Sequence, residues 1–200
     1  MVSAETPALV LASSSPYRRM LLERLGVPFT SASPMIDESP RAGEFPAETA
    51  LRLAEAKARA VAASHAGALI IGSDQIAECD GAVIGKPRDP QDALEQLRAM
   101  RGRTVVFHTA LALLNTASGR CQTALVDVVS TFRTLDDAAL RAYLERERPF
   151  DCAGSVKAEA LGIALFTRIA SDDPTALIGL PLIRLTDMLL AEGVSLLAKT

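Results

Sequence analysis

The sequence is short of the groups from which many sites are built. Its 200 residues hold three cysteines, Cys79, Cys121 and Cys152, widely spaced and with no CxxC among them. That excludes a zinc knuckle and gives no disulfide framework; three reduced thiols fit a cytosolic chain. The two histidines, His65 and His108, form no HxxxH pair, so no metalloprotease-type site is indicated. Sequence distance does not forbid a Ser-His-Asp triad, but nothing points to one. The phosphate loop GxxxxGK[ST] is also absent. Charge of one sign is lacking: 21 basic and 24 acidic residues leave a net charge of -3, which gives no bulk grip on a nucleic acid polymer. Apolar runs are far shorter than a membrane span. The N-terminal stretch "MVSAETPALVLASSS" lacks the basic start of a secretory signal. These absences predict a cytoplasmic protein with neither membrane nor nucleic-acid partners. No repeat, low-complexity segment or linker interrupts the chain, and its length suits one domain, 1–200.

What is present is enough apolar sequence for a sizeable core, 49% of residues, with mixed charges that argue against disorder. "ALVLA" (8–12) reads as a buried strand. "SPYRRMLLERLG" reads as a helix with Ser15 as N-cap, Pro16 at its first position, Gly26 at its end and a stripe of Met20, Leu21, Leu22 and Leu25. "VPFTSASP" (27–34) is extended, 35–46 is a loop, and 47–65 has helical spacing. "ALIIG" is a buried strand, and Asp80-Gly81 is a turn between two short strands. A helix follows at 89–102, bounded by Asp89-Pro90 and Gly102. Two strand-like runs, 103–115 and 121–133, suggest a hairpin. Then come a helix at 134–147, a strand at 162–170 and a closing helix at 181–193. Alternating strands and helices around a hairpin predict an α/β fold with a mixed sheet. Such a sheet, bent around a cleft, gives two lobes, although no boundary is marked in the sequence.

Chemistry-bearing residues recur in the loops. In "LASSSPYRR" (11–19), the first turn of a helix favours an anion, Ser13 and Ser15 add hydroxyls, and Arg18 and Arg19 add guanidinium groups. The same residues read equally as an ordinary cap followed by solvated arginines. Asp74 ends the apolar run in "LIIGSDQ", where a carboxylate is placed to bind a metal or activate water; it also reads as a turn aspartate. "GKP" holds Lys86 stiffly between Gly85 and Pro87. Asp37 and Glu38 in "MIDES" suit a hard divalent cation, or are simply solvated. Lys57 lies one turn after Leu53 and leans toward the core or snorkels. "AGSVKAEALG" (153–162), with Lys157 and Glu159, closes over a ligand or is a plain loop. Basic groups, carboxylates and a helix N-terminus together form a kit for binding a nucleoside triphosphate with a metal and hydrolysing it.

"LASSSPYRRMLLERLGVPF", "IDES", the lysine of "RLAEAKA", "IIGSDQ", "GKP", "AGSVKAEALG" and "LIGLPL" occur in the order seen in Maf-like nucleotide pyrophosphatases. The resemblance runs from about Leu9 to about Gly193. It implies conversion of a nucleoside triphosphate and water to the monophosphate and pyrophosphate, a bent mixed sheet flanked by helices with two lobes around a nucleotide-binding cleft, and a divalent cation, Mg2+ or Mn2+. It leaves a homodimer open. It makes Asp74 the general base, Ser13, Arg18, Lys57 and Lys86 the triphosphate ligands, and Glu38 with Asp74 the metal ligands. The subgroup hydrolysing dTTP and UTP carries arginine, threonine and glutamine where this chain has Tyr17, Gln75 and Glu159. The present combination resembles the subgroup acting on 7-methyl-GTP, in a house-cleaning role against modified nucleotides. The departure is Ala160, where glycine is expected. Two other readings remain: a pyrophosphatase for different nucleotides, dTTP and UTP included, and a non-catalytic nucleotide-binding regulator of cell division.

Overall fold

The computed structural model describes residues 7–197. Seven strands form one mixed sheet in the order β2-β1-β3-β5-β6-β7, with β4 pairing β3 beside that path. The strands are β1 (Leu9–Ala12), β2 (Thr30–Ala32), β3 (Leu69–Cys79), β4 (Ala82–Ile84), β5 (Thr104–Asn115), β6 (Cys121–Phe132) and β7 (Phe166–Ala170). Five α-helices flank it: α1 (Pro16–Glu23), α2 (Pro46–Ala60), α3 (Pro90–Met100), α4 (Asp137–Glu147) and α5 (Leu182–Ala191). Strands β1, β2 and β3 are parallel where they pair, and the long β3, β5 and β6 run antiparallel. Among the described residues no helix is long and apolar enough to cross a membrane.

Alternation along β3 and β5 assigns each face its own partner. On one face Val10, Ala12, Ile70, Ala110 and Ala112 meet Ala50, Ala54 and Ala58 of α2. These small side chains let α2 lie close to the sheet. Gly72 makes the approach closest: a Cβ there would sit 2.0 Å from the Ala54 carbonyl oxygen and 2.9 Å from the Ala58 nitrogen. The opposite face carries two apolar clusters. One joins Leu9, Leu11, Leu69, Ile71, Leu111 and Leu113 to α1 and α5. The other joins Ala77, Cys79, Val105 and Phe107 to α3 and α4.

Between those two clusters runs a polar belt of Ser73, Gln75 and Thr109. It receives the turn at 176–179. Ser73 Oγ donates to the Gly179 carbonyl at 2.8 Å, Thr109 Oγ1 to that of Ala176 at 2.9 Å, and Gln75 Nε2 to those of Ala176 and Leu177 at 2.9 and 3.1 Å. Ser73 and Thr109 are fully buried, so these bonds satisfy hydroxyls that water does not reach.

Most helix boundaries follow local chemistry. Ser15, Asp89 and Asp136 cap α1, α3 and α4 with their side chains, and Pro16 and Pro90 occupy first positions. Four expectations need correction. The α2 pattern ends at Ala60, and a short 3-10 turn (Ala62–Ser64) follows. Met20 is exposed rather than part of the buried stripe, which Leu21 and Leu22 supply. Only Phe166–Ala170 of the expected strand at 162–170 is extended. Residues Leu161–Leu165 form a 3-10 turn, with Gly162 so close to Lys157 that a Cβ would lie 2.4 Å from its carbonyl oxygen. Finally, β3 does not stop at Asp74 but continues to Cys79.

Candidate active site

That last correction explains where the site lies. On the edge of β3 away from β5, residues 69–71 pair with β1 and residues 77–79 pair with β4. Residues 72–76 face neither strand there. Asp74 is therefore not at a strand terminus; it sits where β3 changes neighbours and the sheet opens. The opening leads into a cleft of about 630 Å³, within the range of small-molecule sites. Ser13, Tyr17, Arg18, Glu38, Lys57, Asp74, Gln75, Lys86 and Glu159 all line it.

At its centre is Lys57, buried on α2. Its ammonium lies 2.6 Å from Asp74 Oδ1 and 3.0 Å from Glu38 Oε2. Asp74 is buried and Glu38 exposed. Asp74 and Gly72 share the face of β3 that meets α2, so the glycine that admits the helix also brings lysine and aspartate together. Glu38 belongs to the irregular 33–45 segment, braced from α2 by Arg52. That guanidinium holds both oxygens of Glu44, at 2.6 and 2.7 Å, and donates to the Ser39 carbonyl at 3.1 Å. The hydrogen bonds from Arg52 hold the Glu44 carboxyl at about 2, well below the usual carboxylate range.

Ser13 is buried at the end of β1, where its Oγ accepts from the Ser15 amide at 3.1 Å, and the Ser15 side chain accepts from the Arg18 amide. Arg18 is half-buried and donates Nε to the Gly179 carbonyl at 2.9 Å. Burial works against its charge, while Asp74 and Glu38 support it. It forms no salt bridge among the described residues, so its terminal nitrogens stay available to an anion. Lys86 is exposed in the loop after β4, which is tied to the far wall by a hydrogen bond from the Gly154 amide to the Gly85 carbonyl at 3.0 Å. Gln75 departs from a simple specificity role: its amide nitrogen is committed to the 176–179 turn and to Thr109 Oγ1. Glu159 lies on the opposite wall, its carboxyl raised by partial burial and then by the charges of Glu147 and Asp151. Ala160, where the family pattern has glycine, has φ -131 and ψ -142, outside the left-handed region that glycine favours.

Two residues outside the sequence reading matter to the site. Asp151 accepts from the Tyr17 hydroxyl across the cleft at 2.9 Å. Asp173, almost wholly buried, accepts from the amides of Thr175, Ile183 and Arg184 and from the Thr175 hydroxyl. It caps α5, whose own N-cap is Pro181 with no capping side chain. It also holds the turn whose Gly179 carbonyl receives Arg18. The aspartate two residues before Thr175 was a legible turn signal, but its bonds to α5 join residues ten apart or more and depend on the turn being folded. Asp173→Ala is expected to cost about 2–3 kcal/mol of stability, seen in chemical denaturation, and to loosen Arg18. A variant with unaltered stability would refute the capping role.

Among the described residues no group of three or more His, Cys, Asp and Glu side chains is arranged as a metal cage. What converges instead is one carboxylate pair on an ammonium, beside free guanidinium and ammonium groups. A polyanion with its own partly hydrated cation fits this set better than a dedicated all-protein metal site.

The fold and site thus define the class: an α/β protein with a polyphosphate-type cleft at a split in a mixed sheet. The chain belongs to the Maf family, since the family model described as "Maf-like protein" matches residues 8–192. It is 60% identical over 193 residues to a 7-methyl-GTP pyrophosphatase of Cupriavidus metallidurans, covering 96% of this chain and 97% of that one. It is 62% identical over 196 residues to the protein of that name from Paraburkholderia xenovorans (96% and 95% covered), and 56% over 190 residues to that of Pseudomonas aeruginosa (95% and 99%). A solved dITP/XTP pyrophosphatase from Mycobacterium abscessus aligns at TM-score 0.40 and 19% identity, over 64% of this chain and 75% of that one.

Proposed function

We propose that the protein is a nucleotide pyrophosphatase that hydrolyses 7-methyl-GTP to 7-methyl-GMP and pyrophosphate, a cytoplasmic house-cleaning activity. The observation that carries the catalytic reading is Lys57 held between Asp74 and Glu38 in a cleft that also presents Arg18. Two carboxylates facing an anionic ligand suit the activation of water and the holding of a divalent cation. The substrate reading rests on relatives of that name at high identity over nearly the whole chain.

In this reading Arg18, Lys57 and Lys86 bind the triphosphate, and Ser13 donates its hydroxyl. Lys57 is the pivot. In the free protein it pairs with both Asp74 and Glu38; an arriving phosphate oxygen offers it a third partner and loosens its hold on Asp74. Asp74 then takes a proton from water as the water oxygen bonds to the α-phosphorus. The bond from that phosphorus to the bridging oxygen breaks, and pyrophosphate leaves with the electron pair. The basic side chains spread the charge that develops. Asp74 and Glu38 would hold a divalent cation, Mg2+ or Mn2+, which when bound supplies charge neutralisation for the phosphates. The carboxylate of Glu159, which also lines the cleft, is the group suited to accept from the N–H edge of a guanine.

A panel of 7-methyl-GTP, GTP, dTTP and UTP with Mg2+ or Mn2+ and product analysis tests this. The expected result is preferred turnover of 7-methyl-GTP to the monophosphate and pyrophosphate. Preference for dTTP or UTP would overturn the substrate reading. No pyrophosphate from any triphosphate would favour a nucleotide-binding regulator.

A further inference from the structure

We propose that Asp151 is a specificity-determining residue of this cleft: it fixes Tyr17 as an electron-rich platform that favours a positively charged purine base over a neutral one. The inference rests on the 7-methyl-GTP reading above, because 7-methylation is what gives guanine its positive charge.

The carrying observation is one hydrogen bond between opposite walls. Tyr17 stands at the second position of α1, and Asp151 lies after α4, 134 residues along the chain. The phenol donates to Asp151 Oδ2 at 2.9 Å, and both side chains line the cleft. The proton stays on the phenol, since burial and then the bond to Asp151 push the Tyr17 pKa upward. Burial alone would raise Asp151, but the Tyr17 bond, with bonds from its own backbone and Cys152 and the charge of Lys157, holds it below the usual carboxylate range. Cys152 does not compete as an anion: burial pushes its thiol up to about 12, and it donates to Asp151 Oδ1 at 3.5 Å.

Three physical effects follow from this arrangement. A tyrosine held at both its backbone and its hydroxyl has little rotamer freedom left, so stacking on it costs little further entropy. A carboxylate accepting from the phenol polarises electron density toward the ring, which strengthens the attraction of the ring face for a cation. The charge of Asp151 itself also lies close to anything stacked on Tyr17. The chain already places a cation against this ring: Lys157 Nζ is 6.0 Å from its centroid and 3.9 Å from Asp151 Oδ1, and is tethered by the Glu147 carbonyl at 3.1 Å. A neutral guanine stacks on Tyr17 too, but gains none of the charge-dependent attraction.

The test is the ratio of kcat/KM for 7-methyl-GTP to that for GTP, measured on the full chain with Mg2+. Asp151→Asn keeps an acceptor and removes the charge. Tyr17→Phe keeps the ring and removes the bond. The ratio does not depend on how much of a preparation is folded, so a merely structural defect leaves it unmoved. The expected result is a fall of about tenfold for Asp151→Asn, mainly through KM, a smaller fall for Tyr17→Phe, and no further fall in the double variant. If the wild type prefers 7-methyl-GTP and Asp151→Asn keeps that preference within about twofold, the inference fails and the substrate reading stands. If the double variant loses the product of the two single losses, Asp151 does not act through Tyr17 and the inference fails. If the wild type has no preference, the substrate reading fails and the inference with it.

Discussion

Asp74→Asn is expected to lower kcat for pyrophosphate release by about 10³-fold, within the usual reach of general-base catalysis, while nucleotide affinity changes only a few-fold. Asparagine keeps the size of the side chain and an oxygen for Lys57, so the contact at 2.6 Å has a neutral successor. It cannot take a proton from water. It also removes a negative charge from beside the incoming triphosphate, which favours binding. Single-turnover product release and equilibrium binding of the unreacted nucleotide separate the two effects. Turnover within tenfold of the wild type would remove Asp74 as the base.

Gly72→Ala is expected to have the largest structural effect of any glycine-to-alanine change in the chain, because its added Cβ makes the shortest contact. The new Cβ would stand 2.0 Å from the Ala54 oxygen, a helix backbone atom that no side-chain rotation can move. The helix α2 must lift from the sheet, breaking the close packing of Ala50, Ala54 and Ala58. A loss of about 3 kcal/mol is expected from overpacking, seen as a Tm lower by about 10 °C. Activity is expected to fall too, because the helix that lifts carries Lys57 away from Asp74. An unchanged Tm together with unchanged turnover would show that α2 does not depend on this glycine.

Each sequence signal that proved reliable was local. The caps at Ser15 and Asp89 depend on a side chain reaching an amide three residues ahead, and that reach is written in the spacing. The hairpin of β5 and β6 likewise follows from two apolar runs with a short turn between them. Boundaries failed where composition alone does not show how the backbone turns. Leu161–Leu165 looks like strand by composition, but the contact of Gly162 with Lys157 coils it. Met20 fits the helical stripe, yet no neighbour covers it.

The candidate residues were legible as types, and their roles were not. The place of Lys57 one turn after Leu53 left burial and snorkelling both open, and its position between Glu38 and Asp74 depends on a loop, a helix and a strand meeting. Gln75, a specificity position by resemblance, lines the cleft, and the tie of its amide nitrogen to the turn at 176–179 was not legible in the sequence. Asp151 and Asp173 carried no sequence signal strong enough to single them out, because each acts on a partner far along the chain.

By itself the sequence determined the elements, the mixed α/β class, the family and the set of charged groups available to a phosphate site, because periodicity, capping and motif order are properties of neighbouring residues. Only the tertiary structure decided that β3 runs past Asp74 and changes neighbours there, that Lys57 bridges two carboxylates, and that Tyr17 is tied to Asp151. Those facts depend on which strand edge is left open and which surfaces close over it, and the packing of segments far apart in the chain fixes both.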